Sequence, residues 1–353
     1  MSPAGRPGER TLRILLAPLA GPLADPRVTE VVVNRPGEAG VERRGLGWEW
    51  LDLPELDFAR LDAVATLAAA LSQQDVGPER PLCAATLPDG ERVQICRPPA
   101  VPAGTVSLTI RRPPSGSPAL GDLARGGLFG DTRGGGAAAA PRPAEEQLLA
   151  LHRAGDWERF FPLAVRARRT VVVAGDTGSG KTSFARALAG LIPADERIVS
   201  IEDTSELGAL GQRNRVSLFY SKGAQGLARG VGAEELMEAA LRMRPDRVLL
   251  GELRDGAAFT FVRSVAAGHP GSVTTCHAGS AAGAFDALRL MVKGHGAGRH
   301  LLDADVLALL GRMVDVVVHC VREGGRFGVG EVWFRPAAEA AGAARALPPL
   351  AAE

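Results

Sequence analysis

Two rhythms of apolar and polar residues divide the chain. Early on, VTEVVVN (Val28 to Asn34), ERVQICR (Glu91 to Arg97) and TVSLTIR (Thr105 to Arg111) read as strands, two of them alternating, while Leu56 to Leu71 has helical spacing. This mixture predicts a smaller α+β domain over residues 1–112. Later, strand-like runs take turns with helical stretches: TVVVAG, KTSFARALAG, RIVSIED, ELMEAALRMR, RVLLGEL, AFTFVRSVAAG and SVTTCHA. Strands separated by helices pair in parallel through crossovers, so a second, α/β domain with a mostly parallel sheet is predicted over 144–335. Between them PPSGSPALGDLARGGLFGDTRGGGAAAAPRP, residues 113–143, is dense in glycine, proline and alanine and reads as a linker. From about Arg335 the chain turns Ala/Pro-rich, and a fraying tail over 336–353 is expected.

Composition agrees with two cores. The chain has 353 residues, 46% of them apolar, more than one core of ordinary size accommodates. Its 44 glycines and 25 prolines make up nearly a fifth of the residues, against a usual share of roughly 12%. The net charge is +1, yet only Lys181, Lys222 and Lys293 are lysines while 38 residues are arginines. Such a skew points to codon composition and makes each surviving lysine worth locating. No apolar run approaches the ~18–20 residues that a spanning helix needs. The N-terminus carries no cleavable apolar core, and Cys83, Cys96, Cys276 and Cys320 form no CxxC pair. A reducing, cytoplasmic location is therefore expected. Near-neutral charge, one tyrosine and 5% aromatics argue against a dedicated nucleic-acid binder.

The sharpest chemical signal is GDTGSGKT, Gly175 to Thr182, running straight out of a predicted strand into a predicted helix. That context suits a phosphate-binding loop. Gly175, Gly178 and Gly180 allow positive φ and close backbone approach, so the N–H groups of Asp176, Thr177, Ser179 and their neighbours can face phosphate oxygens. Lys181 would reach the β- and γ-phosphates, and Thr182 would offer a hydroxyl to Mg²⁺. Phe184, Leu188 and Leu191 are expected to face the sheet.

Hydrolysis needs acid near the γ-phosphate, and strand C-termini are where a parallel sheet presents it. RIVSIEDTSEL ends in Glu202 and Asp203; RVLLGELRD ends in Glu252, with Asp255 close behind. In GHPGSVTTCHAGS a short strand delivers His277 to the same predicted edge, suiting a γ-phosphate-sensing or site-organising role. His269 could as well cap a helix.

GDTGSGKTSF, RIVSIEDTSEL, LRMRPDRVLLGELRD and GHPGSVTTCHAGS stand in the order of the Walker A, Asp, Walker B and His boxes of the secretion traffic ATPases. The chain resembles most the hexameric ATPases of type IV secretion and conjugal DNA transfer. LADPRVTEVVVNRPGE and LPDGERVQICRPPAVPAGTVSLTIRRP extend the resemblance over roughly Leu12 to Phe334. It implies a RecA-like P-loop domain, a PAS-like N-terminal domain, and ATP with Mg bound in an interdomain cleft. It also implies a homo-oligomeric ring, a hexamer, with protein or DNA as the candidate cargo, and peripheral docking to inner-membrane secretion proteins. On the residues themselves, Glu202 is the candidate to orient or deprotonate the attacking water and Glu252 to organise the metal shell, through water if not directly, although the sequence alone allows either glutamate to activate water. Arg92 and Arg111 would reach the nucleotide from the N-terminal side, and Arg242 and Arg244 would act across a subunit boundary. Cys276 stands where such His boxes usually carry leucine. Pilus and type II secretion ATPases are the nearest alternative, although the CxxC element usual in type II enzymes is missing here; a RecA-like nucleic-acid motor is the alternative from another class.

Overall fold

The computed structural model describes residues 7–113, 116, 119–130, 132, 143–207, 211–220, 230–254 and 257–341. Lys222, Asp255 and about half of the expected linker lie outside them. Six strands, β1 (Val28–Val33), β2 (Gly37–Arg43), β3 (Gly47–Leu53), β4 (Leu82–Thr86), β5 (Arg92–Cys96) and β6 (Ser107–Arg111), form one sheet in the order β3-β2-β1-β6-β5-β4. Every pairing in it is antiparallel. The helix Phe58–Leu71 begins at Asp57, whose carboxylate accepts from the Arg60 amide at 2.8 Å, an N-cap that satisfies an otherwise orphaned donor. Leu61, Val64, Ala65 and Ala68 of this helix are buried with Leu12, Leu19, Val31, Ile95 and Ile110.

The remaining strands are β7 (Val171–Gly175), β8 (Ile198–Glu202), β9 (Arg215–Phe219), β10 (Arg247–Leu250), β11 (Val273–Cys276), β12 (Val316–Glu323) and β13 (Arg326–Phe334). They pair as β10-β8-β9 and β11-β7-β12-β13, in parallel except for the β12–β13 hairpin. A parallel bridge between Glu252 and Thr275 joins the two groups into one surface. The helices Lys181–Gly190, Ala233–Arg242 and Ala257–Ala266 cross between strands, as the alternating pattern requires. Buried residues cover both faces: Val173, Leu188, Leu249 and Phe160 on one, Ile201, Val248, Phe261 and Phe285 on the other.

The N-terminal sheet sits at the end of the parallel sheet where β8, β9 and β10 begin. Arg197, immediately before β8, is fully buried and donates to Asn34 at 2.8 Å, Asn214 at 2.5 Å, Thr109 at 3.1 Å and the Met243 carbonyl at 2.8 Å. Arg213 lies over the Trp50 ring at 4.8 Å and Arg244 over Trp48 at 5.4 Å, so both arginines cover aromatic rings of β3. All four cysteines are buried as free thiols.

Two expectations change. Leu191 follows the helix Lys181–Gly190 and is 39% exposed rather than facing the sheet, because it occupies the C-cap where the chain turns away. The segment after Phe334 forms a helix, Arg335–Ala340, before the described residues end at 341. It is tied down by buried Pro336 and the Arg335–Asp315 ion pair at 2.6 Å.

Candidate functional site

Strand register brings the chemical stations to one edge. Ala174 of β7 stands opposite Cys276 of β11, and Leu250 of β10 opposite Ile201 of β8. Gly175, His277, Glu252 and Glu202 therefore emerge together at the C-terminal edge of the sheet, the edge at which such sheets bind ligands.

The loop after β7 has the shape of a cradle. Gly175 has φ 149°, and a Cβ there would lie 2.4 Å from the Cys320 carbonyl oxygen and 2.5 Å from Ser179 Oγ. Only glycine fits. Gly180, at φ 87°, is the left-handed N-cap of the helix Lys181–Gly190, which turns the helix N-terminus toward the loop. Ser179 Oγ is buried and bonds to nothing among the described residues, a polar group that asks for a ligand. Lys181 is buried to 8% exposure, and its ammonium donates to the Asp176 carbonyl at 2.8 Å. A backbone cradle, an orphaned hydroxyl and a folded-back lysine suit a nucleoside triphosphate.

Acid surrounds this cradle, and its members differ. Glu202 is 1% exposed, and its carboxylate accepts from Ser200 Oγ at 2.6 Å and from the Glu206 and Leu207 amides at 2.7 Å each. It holds the following turn in place. Glu206, which no sequence motif marks, accepts from Thr182 Oγ1 at 3.4 Å. Burial first, then the nearby carboxylates of Glu252, Asp203 and Glu202, push its pKa up. Its only sequence signal was a second acid shortly after the strand end. Glu252 meets the His277 Nε2 with one oxygen and Arg254 with the other. Among the described residues no group of three or more His, Cys, Asp or Glu could hold a metal by itself. A Mg²⁺ at Thr182 would accordingly draw on phosphate oxygens and water.

The arginines fall elsewhere. Arg92 and Arg111 are partners across β5 and β6, line a cavity with Leu241 and Arg242, and stay apart from the loop at the opposite end of the parallel sheet. Arg111 faces Glu30 at 3.6 Å. Arg244 pairs with Glu42 and Asp246 of its own chain. His269 precedes β11, beside Pro245, with its pKa held down by burial.

Residues 151–345 match the family described as Type II/IV secretion system protein. The chain is 42% identical over 335 residues to the type IV secretion system protein VirB11 of Bartonella henselae, covering 91% of this chain and 92% of that protein. The chain belongs to the VirB11 family of type IV secretion ATPases. The VirB11 protein of Agrobacterium fabrum is 43% identical over 336 residues, with 92% of this chain and 93% of that one covered. The crystal structure of the VirB11 ATPase from the Brucella suis type IV secretion system, in complex with sulphate, superposes with a TM-score of 0.87 at 42% identity. It covers 95% of this chain, and 97% of that one is covered in turn. The mixed α/β, two-part architecture expected from the residue pattern is that of the VirB11 fold. No helix among the described residues is long and apolar enough to cross a membrane.

Proposed function

We propose that this chain hydrolyses ATP at the Gly175–Thr182 loop and that Glu252, oriented by His277, is the group that positions and deprotonates the attacking water. The observation that carries the reading is the register-aligned emergence of the glycine cradle beside the Glu252–His277 pair. Glu202 is assigned a positioning role, because three donors take three of the about four acceptor sites of its carboxylate and the residue is 1% exposed. The loop amides and Lys181 bind the phosphates, and Ser179 Oγ completes the cradle. Thr182 would hold Mg²⁺, with Glu206 beside it; the ion supplies charge neutralisation on the phosphates. His277 exchanges its contact with Glu252 when the γ-phosphate leaves.

Coupling to secretion follows from assembly into a ring, read here as a hexamer, docked peripherally on inner-membrane secretion proteins and moving protein or DNA cargo. In such a ring Arg92 and Arg111 would meet a nucleotide held by another copy, since within one chain they lie at the far end of the sheet. Steady-state hydrolysis by Lys181→Ala, Glu252→Gln and Glu202→Gln tests the site. Loss in the first two, with Glu202→Gln retaining the larger share of turnover per folded molecule, is the expected outcome. Parent-rate hydrolysis by Lys181→Ala would remove the reading. Sizing with and without a non-hydrolysable ATP analogue tests the ring, and a strict monomer under both conditions would count against it.

A further inference from the structure

The hairpin β12–β13 grows out of the strand beside the phosphate loop. β12 pairs in parallel with β7, and its Cys320 stands opposite Gly175, so the residues beyond Cys320 continue past the end of β7 alongside the loop. The hairpin turns at Gly324 and Gly325, with φ 56° and 80°, and closes Arg322 against Phe327 as direct cross-strand partners. Both side chains then lean on the loop. A Cβ on Gly180 would come within 3.4 Å of the Phe327 ring, and one on Gly178 within 3.8 Å of Arg322 Nη1.

Beyond joining the two strands of the hairpin, this pair is left at the surface. Phe327 is 64% exposed, although a phenylalanine near a strand partner and a loop could easily be buried. Arg322 lies over the Phe327 ring, 5.4 Å from its centroid, and among the described residues it bonds to no carboxylate. Many other arginines of this chain, Arg43, Arg97, Arg169, Arg244 and Arg247 among them, face an acid. An aromatic ring held by a cation and still largely exposed is a stacking platform that accepts any flat π-system. Next to a triphosphate cradle, the flat group delivered with the phosphates is the base.

We propose that Phe327 is the platform on which the nucleobase stacks, and that Arg322 is a positioning residue that holds the ring against the phosphate loop. This rests on the ATP reading of the Gly175–Thr182 loop. It adds that affinity for nucleotide over bare phosphate chain is decided by the hairpin, whereas the loop itself serves both.

Calorimetric titration of the full chain with Mg-ATP and, separately, with inorganic tripolyphosphate separates the two readings. Phe327→Ala should weaken ATP binding about tenfold, within the range expected of one base–aromatic stack, and leave tripolyphosphate within about twofold of the parent. Phe327→Trp should keep or tighten ATP binding. Arg322→Ala should lower ATP affinity less than Phe327→Ala does and should lower the preference for ATP over CTP, since a misplaced ring discriminates purine from pyrimidine poorly. Because Phe327 is exposed, unchanged thermal melting of Phe327→Ala will show that the fold is intact. Parent-like ATP binding by Phe327→Ala, or equal loss of ATP and tripolyphosphate, overturns the base platform. An effect of Phe327→Ala on assembly alone, with ATP affinity unchanged, overturns it in favour of a contact between copies. Failure of Lys181→Ala to weaken either ligand would instead remove the underlying site.

Discussion

Strands β8 and β10 carry the same charge pattern, an arginine at the start and a glutamate at or just beyond the end: Arg197 and Glu202, Arg247 and Glu252. The two ends meet different surroundings. At the starting end Arg197 spends its donors on Asn34, Thr109, Asn214 and the Met243 carbonyl, and Arg247 takes Glu196 bidentately at 2.8 and 2.9 Å. These guanidinium groups join parts of the molecule, and Arg197 pins the N-terminal sheet to the parallel one. At the finishing end only Glu202 is saturated in this way. Glu252 faces a histidine and an arginine at the rim of a cradle. A buried charge is structural when its hydrogen-bonding capacity is consumed by the fold, and chemical when a neighbour that can change state or leave shares it.

The largest effect that would break this comparison is on turnover. Glu252→Gln should lower kcat by about 10²–10⁴-fold, the range for removing a general base, with thermal melting unchanged. Glu202→Gln should do the reverse: it keeps more activity but loses about 1–3 kcal/mol in urea unfolding, because two backbone amides lose a charged acceptor. Equal kcat losses with equal stability would erase the distinction between the two glutamates. Next, Arg197→Met should cost about 3 kcal/mol or more, since Asn34, Thr109 and the Met243 carbonyl are left buried without a donor. Limited proteolysis should then cut between the two sheets before it cuts within either.

A smaller effect concerns Glu30, whose pKa is raised to about 7, chiefly by burial and further by the Glu42 carboxylate, against the pull of Arg111. A carboxyl with a raised folded pKa binds its proton more tightly when folded, so its contribution is full below its unfolded value and lost as pH rises toward 7. Stability should therefore fall over that window by on the order of 2–3 kcal/mol, and Glu30→Gln should flatten the slope in urea midpoints measured from pH 5 to 8. The smallest effect is at the rim: Arg213→Ala, over Trp50 and 46% exposed, should cost about 0.5–1 kcal/mol.

Legibility followed the length and purity of the apolar runs. VVVAG, IVSIE and VLL read as strands because they are continuous and buried on both faces, and the loop read as a phosphate cradle because its glycines follow such a strand directly. β2 and β3 left little trace: GEAGVER sets two apolar residues among glycine and charge, GWEWLDL interrupts its apolar residues with Glu49 and Asp52, and both strands are held by their neighbours in the sheet. β9, RVSLF, is short and gains its place from pairing with β8. Within the candidate site, residues local to a motif were readable, as Lys181, Glu252 and His277 were. Saturation of Glu202 was not, because it depends on how the turn folds back on the carboxylate. Arg322 and Phe327 were invisible for a stronger reason: their partner loop lies far away in sequence, and only the parallel pairing of β12 with β7 brings them together.

The four cysteines have a practical consequence. Cys83, Cys96, Cys276 and Cys320 are all buried, and burial raises the pKa of each, to about 12 for Cys96 and Cys276. Folded protein should therefore resist maleimides and similar reagents. A single cysteine introduced at the hairpin tip or on the exposed face of β3 could then carry a fluorophore or spin label without prior removal of the native thiols. With one label at each of these two places, the separation of the two sheets would become a distance that spectroscopy can compare with and without nucleotide.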